Sequence, residues 1–184
     1  MGLKSFWIIV TNKFDADAPV RIHAWTPDDI ASVRHIALTT WLATFSSFIP
    51  ETDIRLFYDE WYSVEKLTGL CNAPMAKGFI AVVDTQAVGF ARTSYNQNEK
   101  KFYVHSLYVL PEGQGKGIGT KLLDAAEQFA RTFSADGIWL GVMTKNVTAL
   151  SWYKRIGFQF DREEPFAMGK TVVQHLIGLR KIKL

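Results

Sequence analysis

The chain has 184 residues, of which 48% are hydrophobic and 21% are charged. This length predicts one domain with a sizeable core, and the composition is that of a globular protein rather than a disordered one. The formal net charge of +3 at pH 7 is too small to indicate nucleic-acid binding, although it suits an anionic ligand.

Neither a membrane span nor a secretion signal is apparent in the sequence. The apolar run Phe6–Val10 is far shorter than the roughly 20 residues of a membrane helix, and no small-residue cleavage site follows it. The single cysteine, Cys71, excludes an internal disulfide and fits a reducing compartment. We therefore expect a cytoplasmic protein with no membrane partner, no nucleic-acid partner and no metal site. The run Phe6–Val10 is a candidate edge strand or homodimer contact.

The first part of the chain is predicted to be an extension followed by a mainly helical region. Residues 1–18 are expected to form the N-terminal extension and residues 19–184 the folded domain, which opens with the strand Val20–Ala24. Thr-Pro-Asp-Asp at residues 26–29 is typical of a helix start, because threonine caps the helix and the acidic residues lie at its positive end. Apolar residues then recur at helical spacing as far as Phe45.

Strands and helices alternate through the rest of the chain. A second helix is predicted over Thr52–Leu70. The predicted strands are then Gly78–Val83, Ala87–Tyr95, Phe102–Leu110, Ile138–Met143, Phe158–Asp161 and Val172–Leu179, and the remaining helices are Thr120–Phe133 and Val147–Ile156. The order β-α-α-β-β-β-α-β-α-β-β predicts an α/β fold with a mixed sheet and helices on both faces.

The most informative stretch is VHSLYVLPEGQGKGIG at residues 104–119. An apolar strand ends at Pro111, and Gln114, Gly117 and Gly119 then form a Q-x-x-G-x-G pattern just before a helix. The first amides of a helix lack intrahelical acceptors, and the helix dipole is positive at that end. The stretch therefore predicts a binding site for a phosphate or a pyrophosphate.

Two common phosphate loops do not fit this stretch. A P-loop counted from Gly113 would need a second glycine where Ile118 stands, and the dinucleotide fingerprint would need its last glycine at Ile118 or Thr120. The pattern that remains, Q-x-x-G-x-G after a Leu-Tyr-Val strand, resembles the phosphate loop of the GCN5-related N-acetyltransferases, the GNAT family.

A second block carries the same resemblance. Residues 146–158 read NVTALSWYKRIGF, which is similar to the later signature of the family: an asparagine after a strand, then a helix ending in tyrosine and Gly-Phe. The resemblance extends from about Val20 to Leu179 and implies the GNAT fold, in which the central sheet splays apart. The segment from Thr40 to Leu67 is similar to the PaiA-type polyamine acetyltransferases and would form one wall of the acceptor site.

The resemblance implies acetyl-CoA as the donor. Its pyrophosphate would lie on the amides of residues 114–120, and its pantetheine arm would pair with the strand at residues 107–109 as an added strand does. An N–H near Leu107 or Tyr108 would polarise the thioester carbonyl. The cofactor-binding residues expected on this basis are Leu107, Tyr108, Val109, Gln114, Gly115, Lys116, Gly117, Ile118, Gly119, Thr120, Asn146 and Lys154. Asn146 is equally typical of a helix N-cap, and Lys116 of a solvated loop charge.

The resemblance also assigns a proton donor. An alkylamine acceptor has a pKa near 10.4, so it must lose a proton before it attacks, and the departing CoA thiolate must gain one. A phenol stays protonated at neutral pH and can donate. Tyr153 occupies the position where the family commonly places this acid, and packing under the cofactor is the alternative role.

The general base is less well defined. Several family members have a glutamate four residues before the position of Leu107, and Tyr103 stands there in this chain. His105 shares a strand face with Tyr103 and titrates in a useful range, although a lone histidine on a strand is more often a packed residue. Glu51, Glu65 or a water relay are the other options.

The sequence thus predicts an N-acetyltransferase that acts on the primary amine of a small molecule, with a polyamine as the leading acceptor. Acetylation of a protein or peptide amine is the runner-up. A non-catalytic acyl-CoA-binding module is the remaining alternative, and the absence of a glutamate at position 103 is its main support.

Overall fold

One mixed sheet of seven strands organises residues 18–182, the part of the chain that the computed structural model describes. The strands are β1 (Val20–Ala24), β2 (Ala76–Val83), β3 (Gln86–Asn96), β4 (Lys101–Val109), β5 (Gly137–Met143), β6 (Gln159–Met168) and β7 (Thr171–Lys181). The α-helices are α1 (Ile30–Phe45), α2 (Glu51–Trp61), α3 (Val64–Gly69), α4 (Ile118–Arg131) and α5 (Val147–Arg155). The predicted α/β class and the predicted order of strands are confirmed, whereas the expected N-terminal extension lies almost entirely outside the described residues.

The strand order across the sheet is β1-β2-β3-β4-β5-β7-β6. Neighbouring strands are antiparallel except β4 and β5, which are parallel and are connected through α4. Helices α1, α2 and α3 cover one face with a core that includes Trp41, Ile54 and Leu67. Helices α4 and α5 cover the other face, where Leu123, Ala126 and other small or aliphatic residues pack against β4 and β5. None of the helices in residues 18–182 has the length and apolar character needed to span a bilayer.

The single helix predicted over Thr52–Leu70 is wrong, because the structure breaks it into α2 and α3. Tyr62 leaves helical geometry at φ −116° and ψ 30°, and Ser63 then caps α3 by accepting a hydrogen bond from the Lys66 amide at 3.2 Å. The break turns the Tyr62 side chain inward, where it is 1% exposed. Serine competes well for a helix start, and the buried tyrosine fixes the direction of the chain there.

The C-terminal hairpin is longer than the sequence predicted. Strand β6 was expected to end at Asp161 but continues to Met168, and the turn to β7 contains Gly169 at φ +61°. Pro165 lies within β6, which an edge strand tolerates because one side of its backbone has no partner strand.

The sheet splays apart between β4 and β5. Only two residue pairs join these strands, Phe102 with Ile138 and Tyr103 with Trp139. Beyond them β4 continues to pair with β3, and β5 continues to pair with β7. The edges of β4 and β5 that face each other therefore lack strand partners over residues 104–109 and 140–143, as the resemblance implied.

Candidate active site

The glycine loop after β4 has a backbone shape that only glycine adopts easily. Gly115 and Gly117 have φ values of +77° and +74°, in the left-handed region. A Cβ atom added at either position would meet nothing within 4 Å, so these glycines serve the backbone conformation and keep the surface open. The side chain of Gln114 ties the loop to the strand, since its Nε2 donates to the Val109 carbonyl at 3.0 Å.

The loop places the first amides of α4 beside the gap between β4 and β5. The first helical hydrogen bond of α4 runs from the Lys121 amide to the Gly117 carbonyl at 3.1 Å. The amides of Ile118, Gly119 and Thr120 precede that bond and have no acceptor within the helix. Together with the helix dipole, they suit the pyrophosphate expected from the sequence.

Gly119 is required by close packing rather than by backbone conformation. A Cβ atom at this position would lie 3.2 Å from the indole of Trp152 and 3.6 Å from Leu107. The start of α4, the end of β4 and helix α5 therefore meet at one point beside the gap in the sheet. This contact brings the two sequence motifs together, although they are separated by more than 25 residues in the chain.

Asn146 caps helix α5. Its Oδ1 accepts a hydrogen bond from the Ala149 amide at 3.2 Å, so the capping role foreseen for this residue is present in the structure. The cap fixes the start of the helix that carries Tyr153 and Lys154, and the Lys154 side chain is exposed.

Tyr153 lies buried beside the gap, with its ring 4.7 Å from Trp152 and 5.3 Å from Phe158 between centroids. No hydrogen bond joins its hydroxyl to another residue in the described part of the chain. Burial raises the pKa of Tyr153 well above the ordinary tyrosine value, so the phenol keeps its proton at neutral pH. The half-buried Tyr108 of β4 lies near enough that Tyr153 contributes to raising its pKa, after the larger effect of burial.

His105 occupies a β-bulge. The register between β3 and β4 shifts so that Arg92 lies opposite Ser106 while Thr93 lies opposite Val104, which leaves His105 as the extra residue. A bulge re-aims side chains and is common beside active sites. His105 remains exposed to solvent, and its Nε2 is 2.7 Å from Ser94 Oγ.

The surroundings of His105 favour the neutral imidazole. Its pKa is lowered to about 4 by the desolvating protein atoms around the ring and by the positive charge of Arg92. The ring also stacks on Tyr103 at 5.8 Å between centroids. Tyr103 donates a hydrogen bond to Glu99 at 2.6 Å, and partial burial together with this bond raises its pKa to about 12. Tyr103, which replaces the family glutamate, therefore cannot act as a base at neutral pH.

The structure does not bring every candidate residue to one point. No hydrogen bond links His105 with Tyr153 within residues 18–182, and Tyr153 packs in the core on the face of α4 and α5. Glu51 is exposed and forms an ion pair with Arg55 at 2.6 Å, while Glu65 is exposed in the first turn of α3. These two carboxylates are therefore weak candidates for the base.

Sequence reasoning missed a group of polar side chains where the end of α2 packs against β3 and β4. Tyr62 Oη and Ser106 Oγ are 2.7 Å apart in the protein interior, and the Arg92 guanidinium lies 5.2 Å from the centre of the Tyr62 ring. The available signal was Arg92 itself, because it is a charged residue directly after the apolar run at residues 87–91.

The profile of the acetyltransferase (GNAT) family matches residues 33–158, which include the glycine loop, the splayed strands and Tyr153. The chain belongs to the GNAT family. Its fold is similar to that of the PaiA N-acetyltransferase from Thermoplasma acidophilum in complex with coenzyme A, with a TM-score of 0.77, 24% identity and coverage of 89% of this chain and 99% of that one.

Two characterised relatives are similar over about half of this GNAT chain. Streptothricin acetyltransferase of Streptomyces lavendulae is 37% identical over 86 residues, which are 46% of each chain. Spermine/spermidine N(1)-acetyltransferase of Bacillus subtilis (strain 168) is 32% identical over 96 residues, which are 48% of this chain and 63% of the relative. The matched parts thus cover less than two thirds of either relative.

Proposed function

We propose that this GNAT chain transfers the acetyl group of acetyl-CoA to the primary amine of a small molecule by direct attack. The observation that carries the proposal is the gap between β4 and β5, which is bordered by an open anion-binding loop and by a buried, protonated tyrosine. The residues at the gap fit acetyl-CoA. The unpaired edge of β4 offers backbone groups to the pantetheine amides, and the start of α4 offers amides to the pyrophosphate.

The chain would hold acetyl-CoA through two sets of residues. Leu107, Tyr108 and Val109 would bind the pantetheine arm, and residues 114–120 would bind the pyrophosphate. Lys116, Asn146 and Lys154 are the further contacts expected from the family resemblance. Acetyl-CoA supplies a thioester, whose carbonyl carbon accepts the amine while the sulfur leaves as a thiolate.

The proton balance assigns roles to the chain's own side chains. The protonated amine first loses one proton to the solvent, and the neutral His105 imidazole at the bulge would relay that proton through water. A backbone N–H of β4 would stabilise the negative charge that develops on the carbonyl oxygen. After the attack the nitrogen carries a positive charge and must lose a second proton. Tyr153 would donate its phenolic proton to the departing sulfur, and this second proton from the nitrogen would restore the phenol through water.

The named relatives support a polyamine as the first acceptor to test, since one of them is a spermine/spermidine N(1)-acetyltransferase. A protein or peptide amine is the other acceptor class. The non-catalytic alternative, an acyl-CoA-binding regulatory module, rests on the replacement of a base by Tyr103.

A CoA-release assay tests the proposal. Purified protein is supplied with acetyl-CoA and a panel of polyamines, amino acids, aminoglycosides and peptide N-termini, and binding of CoA is measured in parallel by calorimetry. Release of CoA that depends on an amine supports the transferase. Tight CoA binding without release from any member of the panel favours the regulatory module, and the absence of CoA binding contradicts both.

A further inference from the structure

Arg92 is a charged side chain beside the candidate site, and it has no carboxylate partner among residues 18–182. It extends from β3 on the face covered by α1 and α2, and its guanidinium stacks 5.2 Å from the centre of the Tyr62 ring. Its Nε–H is buried and donates to no acceptor among the described residues. No ion pair joins its guanidinium to a carboxylate within residues 18–182, and a buried N–H without an acceptor destabilises a fold unless a ligand supplies one.

The position of Arg92 places it on the acceptor side of the gap. Ser106 lies directly opposite Arg92 in the β3–β4 register, between His105 and the expected pantetheine strand. The charge of Arg92 contributes to the lowered pKa of His105, which shows that the guanidinium is within electrostatic range of the bulge. The Tyr62 ring, held by its hydrogen bond to Ser106, fixes the plane against which the guanidinium stacks.

Two carboxylates that act on Tyr103, the neighbour of His105 on the strand face, already have partners. Glu99 is 3.4 Å from the Lys101 ammonium and accepts the Tyr103 hydroxyl, and Glu164 forms an ion pair with Arg162 at 2.7 Å. Arg92 therefore leaves an uncompensated positive charge. A polyamine has only cationic groups, so it would leave Arg92 unpaired and would be repelled by it.

We infer that Arg92 binds a carboxylate of the acceptor, so that the acetylated molecule is an amine that also carries a carboxylate. The inference rests on the proposed function and specifies its substrate class. A guanidinium fork recognises a carboxylate through two parallel hydrogen bonds, and stacking on an aromatic ring holds that fork in one plane. Arg92 is half-buried, and its terminal nitrogens, unlike Nε, are not among the buried atoms without partners.

Matched pairs of amines isolate the contribution of the carboxylate. Lysine and cadaverine, like ornithine and putrescine, carry the same terminal amine and differ by one carboxylate. With the natural chain, kcat/KM is expected to be roughly 10- to 100-fold higher for the acidic member of each pair, the range that a charge-assisted contact supplies. Arg92→Met should bring the ratio close to unity by lowering the value for the acid, while the value for the diamine stays the same or rises. Arg92→Lys should retain part of the preference.

Arg34→Met is the control. Arg34 also lies over a tyrosine ring, at 5.0 Å from Tyr58, but its Nε donates to the Tyr58 hydroxyl at 3.1 Å and needs no ligand. This variant should leave the ratio unchanged, and calorimetry should give the same CoA affinity for all variants. A preference for the diamines, or a ratio that Arg92→Met does not alter, overturns the inference while the transferase activity stands.

Titration of succinate into the CoA-saturated protein measures carboxylate binding at Arg92 in the absence of turnover. Binding that Arg92→Met abolishes supports the site, and equal binding by the natural chain and the variant overturns it. If none of the four amines is acetylated while succinate binding depends on Arg92, the anion site stands, and the wider amine panel rather than these four compounds decides the proposed function.

Discussion

At the scale of single residues, burial suits Tyr153 to its proposed role as the acid. Because the pKa of Tyr153 is raised by burial alone, its hydroxyl is protonated over the whole range in which the protein would work. Such a group can donate a proton but cannot remove one from an ammonium ion. The proposed mechanism therefore needs a separate route for the proton of the amine, and we propose His105 at its exposed bulge rather than Tyr103, whose hydroxyl donates to Glu99.

Tyr153→Phe tests the acid directly. The phenyl ring keeps the contacts with Trp152 and Phe158, and no hydrogen bond to another described residue is lost, so the fold should be preserved. We expect kcat to fall by roughly 10²- to 10⁴-fold, the usual contribution of a positioned acid. Affinity for CoA, measured by calorimetry, should change little. An unchanged kcat would remove Tyr153 from the mechanism.

The surroundings of His175 predict that the folded state loses stability at acidic pH. Its ring stacks on Phe166 at 4.2 Å between centroids, and burial lowers its pKa to about 4, an effect that Glu164 partly opposes. Between this value and the unfolded value near 6.5, the unfolded chain binds a proton that the folded chain does not, so the free energy of unfolding falls as the pH falls through that window. Urea unfolding at pH 7 and pH 4.5 should show a smaller loss for His175→Gln than for the natural chain. Equal losses would contradict the prediction.

At the scale of elements, we expect the backbone conformation of the glycine loop to determine its affinity for CoA. Gly117→Ala places a side chain at φ +74°, which costs about 1 kcal/mol of stability, although nothing within 4 Å obstructs the new methyl group. Relief of that strain would move the amides at the start of α4, so we expect CoA affinity to fall by roughly 10-fold, equivalent to about 1.4 kcal/mol. Calorimetry with CoA measures the change.

Gly69→Ala is the matched control for the loop variant. Gly69 also has open space around its Cα, but it lies at the end of α3 with φ −58°, where alanine fits without strain. This substitution should leave CoA affinity unchanged and stability equal or slightly higher. Similar CoA affinities for Gly117→Ala and Gly69→Ala would show that the loop conformation does not hold the ligand.

The elements also differ in how far their features could be predicted from the sequence. Local sequence patterns predicted the glycine loop, the helix that bears Tyr153 and the strand between them, because glycine spacing and capping residues act within a few positions of each other. The bulge at His105 and the isolation of Arg92 depend on how β3 pairs with β4, and pairing register is decided by tertiary contacts. The break at Ser63 was missed because the apolar spacing from Thr52 to Leu70 continues across it.

At the scale of the molecule, the sheet consists of two parts that share few backbone bonds. Strands β1 to β4 form one part with α1 and α2, while β5 to β7 form the other, and two residue pairs connect them. Side chains also hold the two parts together, since Phe102 of β4 and Ile138 of β5 pack in one core. A ligand that bridges the gap should therefore stabilise both facing edges at once.

Hydrogen exchange tests this bridging role. Without ligand, the amides of residues 104–109 and 140–143 that face the gap have no strand partner, so they should exchange faster than their neighbours. CoA at 100 times its dissociation constant stabilises the folded state by about 2.7 kcal/mol, and the exchange of these segments should slow most because the ligand contacts them directly. The antiparallel pair β1 and β2 lies at the far edge of the sheet and serves as the internal control. If CoA slowed exchange equally in this strand pair and at the gap, the ligand would be acting through global stability rather than by bridging the two parts of the sheet.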